Sequence, residues 1–191
     1  MILGVKKLLE LVKTTPTHRP PAKGGPLKLV ENLSERELKN PEGAGFDFRI
    51  GEIYEISGKG FLGINERKTP KIRLVAKYDP KKKKTFIFKP GKYYLMKTIE
   101  KVNTPENILI LFRPRSTIYP SGMMIYTGNV SPGYKGELVF GILNLGPCEI
   151  KIELGARVVH TMFFEVKGKT NLYRGQWQGG RVTAKKKENQ I

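Results

Sequence analysis

Between Gly43 and Val166 the chain consists of short runs in which apolar and polar residues alternate with a period of two. Turn residues such as Lys89-Pro90-Gly91 separate these runs. Many short strands at this spacing predict an all-β barrel or sandwich, which we expect to be jelly-roll-like. The predicted strands are Phe46–Ile50, Ile53–Ile56, Lys71–Tyr78, Thr85–Phe88, Lys92–Thr98, Asn107–Phe112, Glu137–Asn144, Glu149–Leu154 and Arg157–Val166.

The two ends of the chain break this pattern. Apolar residues at steps of three and four predict a short N-terminal helix; they are Ile2, Val5, Leu8, Leu9 and Val12. The prolines that follow forbid a regular element, and Leu33–Leu38 predicts one or two helical turns. After Val166 the chain becomes polar and rich in glycine. We therefore expect one domain over residues 1–170 and a flexible basic C-terminal tail over residues 171–191.

The charge of the chain points to an anionic partner. The 191 residues include 35 Lys and Arg against 17 Asp and Glu, a formal net charge of +18. Such a chain attracts nucleic acid, nucleotides or another polyanion. The excess is concentrated in residues 64–102, where Lys81–Lys84 lies at a predicted turn between strands. This stretch is either a solvated hairpin tip or a patch that faces phosphates, including those of nucleic acid.

Cysteine and histidine are too few for several kinds of chemistry. A single cysteine, Cys148, rules out an internal disulfide, and the two histidines are His18 and His160. Protein zinc sites use three or four Cys, His or acidic ligands, so zinc-dependent chemistry is excluded and histidine-based triads are disfavoured. No run approaches the roughly 20 apolar residues of a membrane span. We expect a cytoplasmic protein with no membrane partner.

Polar and glycine residues interrupt the strands in segments that suit a nucleotide. Arg115 combines a guanidinium fork with the hydroxyls of Ser116 and Thr117, a suitable clamp for a triphosphate. The backbone of Gly128–Val130 can read a pyrimidine edge, and Tyr134 can pack on the sugar. The glycine-rich segment Tyr173–Arg181 can fold over bound phosphates. The alternatives are an ordinary turn, a plain hairpin and a disordered terminus.

Several motifs, taken in order, resemble those of the dCTP deaminase/dUTPase family. They are GAGFDFRIG, RPRSTIYPSG, GNVSPGYKGELVF, LGARVVHTMFF and YRGQWQGG, and the resemblance covers most of the chain. It implies a distorted jelly-roll-like β-barrel of the dUTPase type, assembled as a homotrimer with active sites between subunits. It also implies dCTP or dUTP as the ligand, with Mg²⁺ bound through the phosphates.

The resemblance also assigns roles to individual residues. The nucleotide-binding set that it implies, together with the hairpin backbone, is Arg115, Ser116, Thr117, Gly128, Asn129, Val130, Tyr134, His160, Tyr173 and Gln178. Asp47 matches the first-motif aspartate, which is structural or lies behind the ligands of the metal ion. His160 stands where the fourth motif has glutamine.

Other positions depart from the family pattern. Ser131 replaces the aspartate that orients water in dUTPases, and Gly141 replaces the deaminase glutamate. Serine cannot act as a general base near neutral pH. Pro120 and Gln176 replace basic residues of the family, so they weaken the resemblance to the deaminases.

Three functions remain open from the sequence. The first is an active enzyme that deaminates dCTP or hydrolyses dUTP, with Ser131 and Glu137 as the candidate catalytic residues. Glu137 either acts through water or forms a salt bridge at the start of a strand. The second function is a catalytically inactive nucleotide-binding or regulatory relative. The third is a nucleic-acid-binding β-barrel that uses residues 64–102.

Overall fold

A computed structural model describes residues 1–13, 27–184 and 186–190, so the proline-rich segment at 14–26 lies outside the described residues. The helices are α1 (Val5–Lys13) and α2 (Glu35–Lys39), and Ser116–Ile118 forms a 3₁₀ turn. The strands are β1 (Val30–Glu31), β2 (Phe46–Ser57), β3 (Phe61–Leu62), β4 (Glu66–Lys68), β5 (Lys71–Lys77), β6 (Thr85–Phe88), β7 (Tyr93–Asn103), β8 (Ile108–Pro114), β9 (Met123–Tyr126), β10 (Asn129–Val130), β11 (Lys135–Asn144), β12 (Ile150–Glu153), β13 (Arg157–Glu165) and β14 (Glu188–Asn189).

One curled antiparallel sheet forms the body of the protein. Its strands follow the order β10-β8-β13-β2-β7-β11-β9, while β1 pairs with β7 and β5 pairs with β2. Strands that follow each other along the chain rarely pair in this sheet. The chain instead crosses repeatedly between the part on one side of β2, which contains β13, β8 and β10, and the part on the other side, which contains β7, β11 and β9. The prediction of an all-β, jelly-roll-like fold with a short N-terminal helix is confirmed.

The concave side of the sheet holds the core. Phe46 and Phe48 of β2 are fully buried, and the ring of Phe46 meets Phe163 of β13 edge-on at 5.9 Å between centroids. Helix α1 closes one side of this core with Leu8 and Val12. The alternation seen in the sequence is therefore the inside–outside alternation of strands with one packed face.

The predicted strands Phe46–Ile50 and Ile53–Ile56 form one strand in the structure, because Gly51 is not a turn. A β carbon at Gly51 would lie 3.0 Å from the side chain of Ile99 on β7. The glycine allows the two strands to approach closely where their register shifts, between Ile50 and Glu52. Such an irregularity bends a strand without ending it.

The described residues of the tail contact the rest of the chain. The backbone N–H of Tyr173 donates to the carbonyl of Pro132 at 2.7 Å, and β14 pairs with β4. The division into a domain over 1–170 and a flexible tail over 171–191 stays a prediction. Among the described residues, no helix is long and apolar enough to cross a membrane.

A charged network stabilises the outer face of the sheet where β5, β2 and β7 meet. Glu52 accepts from the ammonium groups of Lys77 and Lys97, each at 2.9 Å, and from the hydroxyl of Tyr54. Burial raises the pKa of Glu52, but the hydrogen bonds from these three partners outweigh it and lower the pKa to about 2. The charged carboxylate is therefore favoured by folding.

Glu52→Gln should make the protein less sensitive to acid. A carboxyl whose pKa is lowered by folding contributes stability above its unfolded value of 4.5, and this is lost as the pH falls towards about 2. The variant should be less stable by roughly 2 kcal/mol at neutral pH, after allowance for the exposure of Lys77. It should also lose less stability between these two pH values. Urea unfolding at several pH values measures both, with the exposed Glu149→Gln as control. Equal acid slopes for Glu52→Gln and the wild type would contradict this account.

Candidate functional site

A buried aspartate organises the first group of candidate residues. The Oδ2 atom of Asp47 in β2 forms an ion pair with the guanidinium of Arg115 at 2.8 Å and accepts a hydrogen bond from Arg157 at 3.0 Å. The Oδ1 atom of this carboxylate lies 3.0 Å from Nδ1 of His160, which stands directly opposite Asp47 in the pairing of β13 with β2. We call Asp47, Arg115, Arg157, His160 and the neighbouring Glu37 the Asp47 cluster.

The positively charged groups around Asp47 stabilise the charged form of its carboxylate. Burial raises the pKa of Asp47, but the hydrogen bond from His160 and the charges of Arg115, His160 and Arg157 outweigh it, so the pKa is lowered overall. Glu37 of α2, itself buried, accepts from the backbone N–H of Asp47 at 3.0 Å and pairs with Arg157 at 3.5 Å. The sequence did not single out Glu37, because only the fold brings α2 to the start of β2.

The predicted phosphate clamp lies beside this cluster. Arg115 directly precedes the 3₁₀ turn, and Ser116 and Thr117, which open the turn, are both exposed. The backbone N–H of Arg115 donates to the carbonyl of Val158 at 3.0 Å, so the position of the turn is fixed against β13. Its guanidinium is paired with a buried carboxylate. A simple turn with a surface ion pair therefore does not describe this segment.

The second group of candidate residues surrounds a cavity of about 390 Å³ between the tail and the loop that joins β10 to β11. The predicted hairpin is not formed there, because β10 pairs with β8 whereas β11 pairs with β7 and β9. We keep the name hairpin for this loop and call the space the hairpin cavity. Its lining is Phe112, Gly128, Asn129, Val130, Ser131, Tyr134, Leu138, Val139, Phe140, Tyr173, Trp177, Arg181 and Val182. The structure thus brings the predicted backbone segment, the substituted Ser131 and two predicted aromatic residues to one place.

Hydrogen bonds hold Tyr134 at the wall of this cavity. Its hydroxyl donates to the carbonyl of Glu137 at 2.7 Å and accepts from the backbone N–H of Gly180 at 3.2 Å. Its ring meets that of Tyr173 edge-on, 5.3 Å between centroids. Burial raises the pKa of Tyr134 to about 12, so the hydroxyl stays neutral.

Side chains of the tail fix it to the hairpin. Gln178 accepts from the backbone N–H of Lys135 at 2.7 Å and donates to the carbonyl of Gly133 at 3.2 Å. The ring of Trp177 lies 4.7 Å from the guanidinium carbon of Arg67 and 5.6 Å from that of Arg181. Trp177 and Arg181 were not among the predicted site residues, although a single tryptophan in a glycine-rich tail was a usable signal.

The two groups of residues do not meet within one chain. Neither the Asp47 cluster nor Ser116 and Thr117 contributes to the lining of the hairpin cavity. The predicted nucleotide-binding residues therefore form two separate groups in the described structure, which we call the two half-sites. The first carries the predicted phosphate clamp, and the second carries the hairpin and the tail.

The candidate catalytic positions lie on the hairpin side. Ser131 lines the cavity, whereas Glu137 lies beside it, with its carboxylate against Gly180. Within the part of the chain that the structure describes, the carboxylate of Glu137 forms no ion pair. The salt bridge that was one of two interpretations of Glu137 is therefore not found among the described residues.

The ring of Tyr93 fills the space beside Gly141. A β carbon at Gly141 would collide with the hydroxyl of Tyr93 and would lie 2.9 Å from its Cζ atom. Burial and the neighbouring Tyr126 raise the pKa of Tyr93, so this phenol is neutral. The ring fills the space that a carboxylate side chain at position 141 would enter. The other two departures are Pro120, which is exposed, and Gln176, which accepts from Arg67.

The overall fold is shared with a solved dCTP deaminase. The crystal structure of 2'-deoxycytidine 5'-triphosphate deaminase from Agrobacterium tumefaciens matches 85% of this chain with a TM-score of 0.61. The sequences are 13% identical and the match spans 46% of the deaminase chain, so the likeness shows the fold alone.

Sequence comparison identifies the family. A family model described as dCTP deaminase-like matches residues 24–166, so the chain belongs to the dCTP deaminase-like family. It is 32% identical to a probable deoxyuridine 5'-triphosphate nucleotidohydrolase of Methanothermobacter thermautotrophicus over 74% of this chain and 89% of the relative. It is 26% identical to a dCTP deaminase of Pyrococcus furiosus over 85% of this chain and 92% of the relative. The family resemblance stated from the motifs is confirmed.

Gly141→Glu should destabilise the chain because of Tyr93. Overpacking of this kind costs about 1–3 kcal/mol. Tyr93→Ala removes the obstructing ring, so the double variant should lose less stability than the sum of the single variants. Urea unfolding of the four proteins measures this coupling, with Gly4→Glu as a control because a β carbon at Gly4 meets nothing within 4 Å. Additive losses would show that Tyr93 does not restrict position 141.

Proposed function

We propose that the chain binds a pyrimidine deoxynucleoside triphosphate and hydrolyses dUTP to dUMP and diphosphate. The observation that carries the proposal is the hairpin cavity, where Gly128–Ser131, Tyr134 and Tyr173 share one lining. Backbone groups of a glycine-bounded turn offer donors and acceptors at fixed positions for a base edge. Aromatic faces offer a surface for the sugar and base.

The Asp47 cluster supports the phosphate half of the proposal. The guanidinium of Arg115 uses one nitrogen on Asp47, and a guanidinium has five N–H donors in all. The remaining donors and the exposed hydroxyls of Ser116 and Thr117 suit a triphosphate, because planar guanidinium groups bind phosphate oxygens in pairs. The Asp47 contact holds this arginine in place before the ligand arrives.

The separation of the two half-sites supports a homotrimer with sites between subunits. One chain presents the clamp and the hairpin cavity at different places. A complete site then requires the clamp of one subunit to face the hairpin of another. Symmetric assembly repeats such a contact around the ring.

Magnesium bound to the triphosphate is part of the proposal. Among the described residues, no group of three or more acidic, histidine or cysteine side chains is placed to hold a metal ion. Both oxygens of Asp47 already accept from protein groups. We therefore assign the metal to the phosphate oxygens, with Asp47 behind its ligands, where the ion neutralises phosphate charge. A cytoplasmic location is also proposed, on the strength of the free Cys148.

Two features favour hydrolysis of dUTP over deamination of dCTP. The space at Gly141, where the resemblance places the deaminase carboxylate, is filled by Tyr93. The YKGE segment of the hairpin resembles that of the dUTPases, and one relative bears a dUTPase name at 32% identity. Deamination of dCTP to dUTP is therefore the less favoured reaction of the same site.

A catalytically inactive nucleotide-binding or regulatory relative is the second candidate. The lining of the hairpin cavity includes neither a carboxylate nor a histidine. General-base catalysis contributes about 10²–10⁴-fold to a rate, so its loss alone would leave binding without measurable turnover.

The basic stretch at 64–102 leaves a third candidate, contact with nucleic acid. Some cations of this stretch are already neutralised by carboxylates: Arg67, Arg73, Lys77 and Lys97 each form an ion pair. Lys81–Lys84 is exposed at the turn between β5 and β6, and none of its ammonium groups is paired within the described part of the chain. These four exposed side chains suit a phosphate backbone.

Separating the products formed from dUTP and from dCTP with Mg²⁺ tests the proposed function. The wild type should bind dUTP and convert it slowly to dUMP. Ser131→Asp should raise that rate by about 10²–10⁴-fold, because it restores a proton acceptor within the hairpin cavity. Ser131→Asn is the matched control of similar shape without the charge. Fast conversion of dCTP to dUTP by the wild type, or no binding of either nucleotide, would contradict the proposal.

A further inference from the structure

Among the described residues, the lining of the hairpin cavity contains neither a carboxylate nor a histidine that could accept a proton. The hydroxyl-bearing residues of that lining are Ser131 and two tyrosines, and burial keeps the hydroxyl of Tyr134 neutral. Hydrolysis of a phosphate anhydride by water requires that the attacking water lose a proton. On the clamp side, one side chain has both the chemistry and the geometry to take it.

We propose that His160, oriented by Asp47, is the group that accepts this proton. The inference rests on the proposed function. The Nδ1 atom of His160 lies 3.0 Å from Oδ1 of Asp47, so the Nδ1-protonated form donates to the carboxylate and leaves Nε2 as the acceptor. Nε2 has no hydrogen-bond partner within the described residues, and the side chain keeps 27% of its surface exposed.

The surroundings fix the orientation of the imidazole. Asp47 is itself immobilised, because Arg115 and Arg157 hold its other oxygen at 2.8 and 3.0 Å. On the opposite side of the ring the chain has Gly45, where a β carbon would lie 2.9 Å from Nε2. The ring is thus held by a carboxylate at one nitrogen, and glycine at position 45 keeps the other nitrogen free of an obstructing side chain.

The same carboxylate links the base to the phosphate clamp. Arg115 and His160 contact different oxygens of Asp47, so a triphosphate bound by Arg115 lies beside the imidazole. The water oxygen forms a bond to the α-phosphorus while its proton passes to Nε2. The bond between the α-phosphorus and the bridging oxygen breaks, and diphosphate leaves with that electron pair. Asp47 is a positioning residue in this scheme.

The pH dependence of the reaction follows from the groups that face His160. These are Asp47 on β2, Arg115 after β8, Arg157 on its own strand β13, and the exposed Arg113, which is its register partner on β8. Glu37 on α2 reaches the cluster through Arg157. Because only the neutral imidazole accepts a proton, kcat should rise with pH.

His160→Gln tests the inference, because glutamine can keep a hydrogen bond to Asp47 but cannot accept the proton. Its kcat for dUTP should fall by about 10²–10⁴-fold with loss of the rising pH limb, while its affinity for a non-hydrolysable dUTP analogue stays near that of the wild type. His160→Ala should regain activity when imidazole is added, a rescue that a purely structural role would not give. Glu149→Gln is the matched control, because Glu149 is exposed and lies outside both the Asp47 cluster and the hairpin cavity, and it should retain the wild-type pH profile.

The outcomes separate this inference from the proposed function. Calorimetry that finds no binding of the analogue to the wild type overturns both. Binding and hydrolysis that survive His160→Gln unchanged overturn the role of His160 and leave the proposed function standing. Loss of turnover in Glu137→Gln alone transfers the role to that carboxylate and also overturns the inference.

Discussion

The candidate site depends on the cost of burying the carboxylate of Asp47. Its side chain retains only 7% of its exposed surface. A buried charge without partners is strongly unfavourable, so the fold must supply cations and donors around it. It does so from three directions, with Arg157 and His160 on β13 and Arg115 after β8. One buried charge therefore determines where the clamp and the imidazole stand.

The burial of Asp47 also explains why one half-site is charged and the other is largely apolar. The Asp47 cluster is charged, rigid and built on the paired strands β2 and β13. The hairpin cavity is largely apolar, and contacts such as those of Gln178 with the hairpin backbone join its tail to its wall. The proposed nucleoside triphosphate ligand requires both charge and apolar surface, and the two half-sites provide one each.

The strands could be predicted from the sequence because a sheet with one buried face imposes a period of two on its residues. Arg115 and Tyr134 could be named because their segments carry local signals, a guanidinium beside hydroxyls and a tyrosine in a glycine-bounded hairpin. The partners of Asp47 could not be predicted as a set, since Arg157 lies 110 residues away along the chain. The obstruction of Gly141 by Tyr93 was also hidden, because it is a diagonal contact between β7 and β11 that depends on register.

Mixing two defective variants tests the central claim, that complete sites form between subunits. Arg115→Ala removes the clamp and should weaken dUTP binding about ten- to a hundredfold. Gly128→Phe fills the hairpin cavity at a position where a β carbon meets no neighbour within 4 Å. If the half-sites come from different subunits, a refolded mixture will contain some intact sites and calorimetry will find restored high-affinity binding. Binding by the mixture that equals the average of the two variants would contradict the account.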